Sequence, residues 1–289
     1  MALYHHTAIM MQLNETRRGH MLTNGLSNNE IQRYAPSVFA QAPSSKQSER
    51  YAFIPTINVV EAMRAANWSV VKASESRTRD ELRKGYTKHM LRFRANDSRL
   101  TAVGDSLLEV VLINSHDGSS QYSLQAGVFR LVCSNGMVVA DSLLDAIKIR
   151  HTGNVIDMVI DGSSRILENA PIVNETIQAW KQIDLKPTEQ LILANAARTL
   201  RFDESSPITA AQLLNPRRHA DNGSDLWSAF NRIQEHVIKG GDRARDYAAD
   251  NGRGRNVRSR EVKSISGNVN LNKAVWTLAA QMAKLKAAA

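Results

Sequence analysis

The residues able to do chemistry in this chain are mostly far apart. Ser115, His116 and Asp117 are contiguous, and Cys133 follows in the same region. Together they offer a hydroxyl, an imidazole, a carboxylate and a thiol, the ingredients of nucleophilic catalysis. A triad needs its members aimed at one another, and sequence neighbours do not usually point that way. A reactive thiol also needs an exposed, electropositive setting. The simpler expectation is a turn shaped by Asp117-Gly118, capped or solvated by His116, with Cys133 a small apolar side chain at a strand end. The eight histidines are scattered without metal-ligand spacing, and the single cysteine has no partner in a CxxC pair. The segment GRGRN has neither a preceding strand nor the GK[ST] of a phosphate loop. Asp157 and Asp161 share a helical face, but nothing marks them as an acid–base pair. No metal or other cofactor is expected, and the balance falls against a catalytic chain.

The cations carry more information. Lysine and arginine number 37 against 28 acidic residues, a formal charge of +9. Such an excess favours polyanionic partners, nucleic acid first. Two stretches concentrate it. From Arg77 to Arg94 the chain is crowded with basic side chains, and His89–Ala95 alternates cleanly. Leu91 and Phe93 fall on one face and Arg92 and Arg94 on the other, the pattern of a half-buried antiparallel strand. Arg92 and Arg94, with Lys88 near the strand start and Arg130 from the next hairpin, are expected to line a solvent-facing track for a single strand. The second stretch, residues 240–268, contains Arg253, Arg255, Arg258, Arg260 and Lys263 among glycines and few large apolar residues. It is expected to be a mobile basic loop that orders on a phosphate backbone.

The elements that must hold these side chains are legible from periodicity. Residues 1–50 are weakly patterned and read as an arm. A helix is expected after Pro55, and a short strand over Ser69–Ala73. Leu107–Ile113, Tyr122–Cys133 and Met137–Ala140 read as strands. Asp117-Gly118 lies in the first connection and Asn135-Gly136 in the second, a tight hairpin signal. With His89–Ala95 they make an antiparallel meander of about four strands, assigned to residues 51–150. Residues 151–289 read as mostly helical. Their expected helices are a long run from Val155 to Ile183 interrupted at Gly162 and Pro171, then Pro187–Leu200, Ala210–Leu214, Asp225–Ile238 and Leu271–Lys286. The fold class is therefore α+β: a β-meander with packed helices, followed by a mostly helical C-terminal half. One cysteine allows no intrachain disulfide. No segment has the apolar core of a signal peptide or the roughly 18 apolar residues of a membrane span, so a cytoplasmic protein without membrane contact is expected.

Three segments, INSHDGSS (Ile113–Ser120), AGVFRLVCSNGMVV (Ala126–Val139) and LNKAVWTLAAQMA (Leu271–Ala283), resemble the uncharacterised phage/plasmid-related protein family of bacterial prophages and plasmids. The likeness runs from about Phe53 to Ala283. It implies a mobile-element origin and supplies no catalytic residues. A basic meander followed by helices is also similar in outline to single-strand annealing recombinases, an analogy of fold alone. The function these features predict is nucleic-acid binding without catalysis, single-stranded DNA being favoured, in annealing or recombination. A homo-oligomer is compatible with it. The alternative is an interaction protein that binds a host factor.

Overall fold

The computed structural model describes residues 25–45, 47, 51–96, 102–103, 106–130, 136–138, 144–151, 154–247 and 254–288. Helix α1 (Asn28–Tyr34) opens with a capping box, in which the Ser27 backbone N–H donates to the Glu30 carboxylate at 2.8 Å. Ile31, Ala35 and Val38 from this region are fully buried. Residues 26–39, expected within an arm, thus pack into the core. Helix α2 (Thr56–Ala65) follows Pro55 as expected, and buries Val59, Val60 and Met63.

The sheet contains β1 (Trp68–Glu75), β2 (His89–Ala95), β3 (Ala102–Val103), β4 (Ser106–Asn114), β5 (Tyr122–Arg130), β6 (Gly136–Val138) and β7 (Ile147–Ile149). The order is β1-β2-β4-β5-β6, antiparallel throughout; β3 pairs with β4, and β7 with β5. The expected meander is its centre. One face presents Leu91, Phe93, Val110, Leu112, Leu124 and Val128 to α2 and to α3 (Val155–Glu168). Burying each such side chain contributes about 1.5–3 kcal/mol.

Gly162 does not interrupt α3. A Cβ there would meet the Leu124 side chain at 2.7 Å, so the glycine lets the helix lie close against β5. Pro171 sits in the first turn of α4 (Ala170–Lys181), where its missing N–H is not needed. The remaining helices are α5 (Pro187–Arg201), α6 (Ala210–Leu213), α7 (Leu226–Lys239) and α8 (Ile265–Ala287). Asp225 caps α7, its carboxylate accepting from the Ser228 N–H at 2.9 Å. An aromatic cluster joins α4, α7 and α8: the Trp180 and Trp276 rings lie 4.7 Å apart, and Phe230 meets Trp276 edge-on at 5.6 Å. The buried core runs without a break from the sheet into these helices, across residue 150.

Helix α8 begins before its expected start at Leu271, capped by Ser264. Its added turns cover the second face of the sheet. There Ile265 and Val269 pack on Val111, Ile113 and Phe129, with Met90 alongside. Among the described residues no helix is long and apolar enough to cross a membrane.

Candidate nucleic-acid interface

Arg92 and Arg94 lie on the second face, as their alternation demands, but that face is covered. Arg92 is 9% exposed. Its Nε donates to Glu109 at 2.6 Å, and its guanidinium lies 3.2 Å from the centre of the Phe129 ring. Arg94 makes Nε and Nη2 bonds to the other Glu109 oxygen at 3.1 and 2.5 Å. The expected open track is therefore corrected to a buried triad of two guanidiniums around one carboxylate. The physical reasons are the Glu109 carboxylate, which draws both guanidiniums inward, and α8, whose first turns pack on Val111, Ile113 and Phe129 beside Arg92. Gly127 makes the arrangement possible: a Cβ at that position would meet the Phe129 ring at 2.4 Å. Lys88 is half-buried, its Nζ donating to Ser266 Oγ of α8 at 2.9 Å. Arg130 ends β5, and its side chain lies outside the described residues, as do Arg253 and Cys133.

The second basic stretch is a β-ribbon where a loop was expected. Strand β8 (Arg243–Asp246) pairs antiparallel with β9 (Arg255–Arg258), with Arg243 opposite Arg258 and Arg245 opposite Asn256. Ala244 and Val257 turn inward, and Ala244 packs on the main core. The alternate positions Arg243, Arg245, Asn256 and Arg258 are exposed, with Tyr247 beside them. Arg245 stands 5.8 Å from the Tyr247 ring. Asp246 faces Arg255 at 3.8 Å. Beyond the ribbon, Arg260 and Lys263 are exposed. Like charges directly opposite on a ladder are unfavourable, so the Arg243–Arg258 pair opposes the ribbon's own stability.

The ribbon's root is clamped. Gly241 N–H donates to Ser259 O at 2.9 Å, and Ser259 N–H donates to Asp242 O at 2.9 Å. The Asp242 carboxylate takes hydrogen bonds from Arg217 at 2.9 Å, from Ser259 Oγ at 3.0 Å and from the His236 ring. Gly240, at φ +60°, is required where it stands, because a Cβ would lie 2.6 Å from Arg260 O. Arg243 and Arg245 were not among the expected binding residues. Part of a signal for them is in the sequence: Arg243, Ala244 and Arg245 alternate, and Asn-Gly follows as a hairpin-type dipeptide, but RNVRSR has no period of two.

The Ser115-His116-Asp117 segment is a polar lock. The expected turn is there: Gly118 adopts φ +78°, and Asp117 accepts from the Ser119 N–H at 2.9 Å and from Arg83 Nε at 2.9 Å. His116, expected to cap or solvate it, is instead fully buried. Its Nε2 lies 3.1 Å from Thr56 Oγ1, which also meets His89 Nε2 at 2.9 Å and Asn114 Nδ2 at 3.1 Å. One hydrogen arrangement, assigned from the network, satisfies these contacts. His89 Nδ1 donates to Thr87 O at 3.0 Å, leaving Nε2 to accept the Thr56 proton. Thr56 then accepts from Asn114 and from His116, while Tyr122 donates to Ile54 O at 3.0 Å. Burial pushes His89 down to about 4 and His116 down to about 3, neighbouring His89 and His151 adding to the latter, so both are neutral at pH 7. Thr56, His89 and His116 are all at 0% exposure, so the hydroxyl–imidazole pair has no substrate access. The set ties α2 to β2 and to the turn after β4.

Fold and surface together define an α+β protein with an antiparallel sheet, a helical C-terminal half and an exposed basic ribbon. The chain belongs to the family described as Domain of unknown function (DUF932), whose model matches residues 43–276. It is 39% identical over 255 residues to UPF0380 protein YfjQ of Escherichia coli (strain K12), covering 88% of this chain and 90% of that protein. UPF0380 protein YafZ of the same organism matches with the same identity and coverage. No solved structure matches.

Proposed function

We propose that this is a non-catalytic nucleic-acid-binding protein of a phage- or plasmid-type mobile element, acting on single-stranded DNA in annealing or recombination. The observation that carries the reading is the ribbon β8–β9. It exposes Arg243, Arg255 and Arg258, with a like-charge pair directly across the ladder. A polyanion laid along it relieves that repulsion and releases counterions, which is the main source of sequence-independent affinity. The mobile-element association rests on the sequence resemblance alone.

Fluorescence anisotropy with labelled single-stranded DNA, repeated over a range of salt concentrations, tests this. Binding is expected to weaken steeply with salt. Replacing Arg243, Arg255, Arg258 and Arg260 together by alanine should flatten the log–log slope by about 0.7 for each phosphate no longer neutralised. Salt-independent binding, or a slope unchanged in that variant, would sink the proposal. A protein partner retained from nuclease-treated lysate, with no DNA binding, would turn the reading toward a host-factor interaction.

A further inference from the structure

A groove of about 530 Å³ lies between the second sheet face and the chain running from the ribbon into α8. That volume is within the range of about 300–1,000 Å³ typical of small-ligand pockets. Its apolar wall is built by Met90, Val111 and Phe129 from the sheet and by Ile265 and Val269 from α8. Lys72, Arg77 and Lys263 border it, exposed and without a charged partner among the described residues. Of the acids here, Glu261 pairs with Lys239 at 3.3 Å, and Glu75 accepts from Ser37 N–H and from Thr87.

Arg92 makes this more than a basic depression. It is 91% buried yet borders the groove, since its exposure is 9%. Glu109 holds its Nε, and Phe129 fixes its plane. Its two terminal amino groups have no hydrogen-bond partner among the described residues. These nitrogens are not sealed from solvent, so the groove is where a hydrogen-bond acceptor reaches them. A register shift in β1 between Val70 and Lys72 sets Lys72 directly opposite Arg92, a second like-charge pair. Lys72 thus adds a third cation beside Arg92 and Arg94, which already hold the fully buried Glu109 carboxylate between them.

We propose that the groove is a nucleotide pocket that takes one unstacked base of the bound strand, guanine by preference. The terminal amino groups of Arg92 match the paired acceptors N7 and O6 of guanine. The apolar wall covers the base. Lys72, Arg77 and Lys263 hold the adjoining phosphate. The ribbon rises from the same rim, where Val262 N–H donates to Ile238 O at 2.9 Å, so a strand on the ribbon passes the mouth of the groove. This inference rests on the nucleic-acid reading and adds a base-specific contact to it.

Calorimetric titration of the full chain with dGMP, dCMP and inorganic phosphate tests it, alongside anisotropy with labelled oligo(dT). Ser74 lines the groove from the edge strand β1, and Ser74→Trp fills the space with a side chain suited to strands. dGMP should bind at least about tenfold more tightly than dCMP. Ser74→Trp should abolish dGMP binding while leaving salt-dependent oligo(dT) binding intact. The four-arginine ribbon variant should do the reverse. Arg92→Lys, which keeps the charge and loses the fork, should reduce the dGMP preference in a chain whose circular dichroism is unchanged. Equal binding of dGMP, dCMP and phosphate, or dGMP binding untouched by Ser74→Trp, overturns the pocket. A dGMP preference without oligo(dT) binding supports the pocket and overturns the strand-binding reading.

Discussion

The second sheet face and the β8–β9 ribbon carry arginines in the same alternating pattern, yet the two surfaces have opposite fates. On the sheet, Arg92 and Arg94 converge on Glu109, whose side chain has 0% exposure, and α8 packs on the apolar side chains beside Arg92. On the ribbon, Arg243 faces Arg258, and the alternate side chains meet water. Period-two alternation tells which side chains share a face. It says nothing of what covers that face. Coverage is decided by an apolar helix segment far along the chain, and that packing ties one row of cations into the fold, with Arg92 still bordering the groove, while the other row meets water.

The largest expected effect lies on the buried side. Glu109→Gln leaves two nearly buried guanidiniums without their counter-charge, and should destabilise the fold by about 3–5 kcal/mol, read from urea unfolding. A loss below about 1 kcal/mol would mean that water reaches this face and would erase the contrast. Next comes pH, acting on the opposite sheet face. His89 and His116 titrate well below the ordinary 6.5 when folded, so the unfolded chain takes up protons first. Their neutral state is fully tolerated above pH 6.5. As pH falls toward about 4 each should cost about 1.4 kcal/mol per unit. Melting curves between pH 7 and 5 should show that slope, and His89→Gln should lessen it. A melting temperature flat over that interval would show that these imidazoles are hydrated.

The ribbon should behave differently. Alanine at Arg243, Arg255, Arg258 and Arg260 should leave stability within about 0.5 kcal/mol, while DNA affinity and its salt slope fall. Smallest of all, Arg258→Ala alone should raise stability by a few tenths of a kcal/mol, about the size of a relieved like-charge cross-strand pair. A measurable drop instead would mean that Arg258 has a structural partner and that the ribbon resembles the sheet more than it differs.

Much of the fold was legible because its signals are local. β2 matches its expected span, β4 and β5 begin within a residue of theirs, and the helices α5 and α7 follow their apolar periods. The misses come from long-range packing. Ile31 and Val38 sit in a stretch with too few apolar residues to show a period, yet a pocket in the core fills with them. The first turns of α8 carry Gly267 and several polar residues, which hides a helix held by Phe129 and Val111 of the sheet. The site divided in the same way. Arg255 and Arg258 stand out by charge density and are exposed, whereas Arg92 and Arg94 stand out by parity and are covered. The groove had no sequence signal, since its lining comes from β1, β2, β4, β5, α7 and the lead into α8.

The clamp at Asp242 and Ser259 gives the ribbon a defined root. The polypeptide leaves and re-enters the body at one rung, held by reciprocal backbone bonds and by a carboxylate already anchored to Arg217 and His236. Distal to that rung the ribbon is held to the body through Ala244, which packs on the core, and through Gln212 Nε2, which donates to Arg243 O at 2.8 Å. A change in the ribbon therefore reaches the core through Ala244, whereas a change at Asp242 reaches α7 directly through His236.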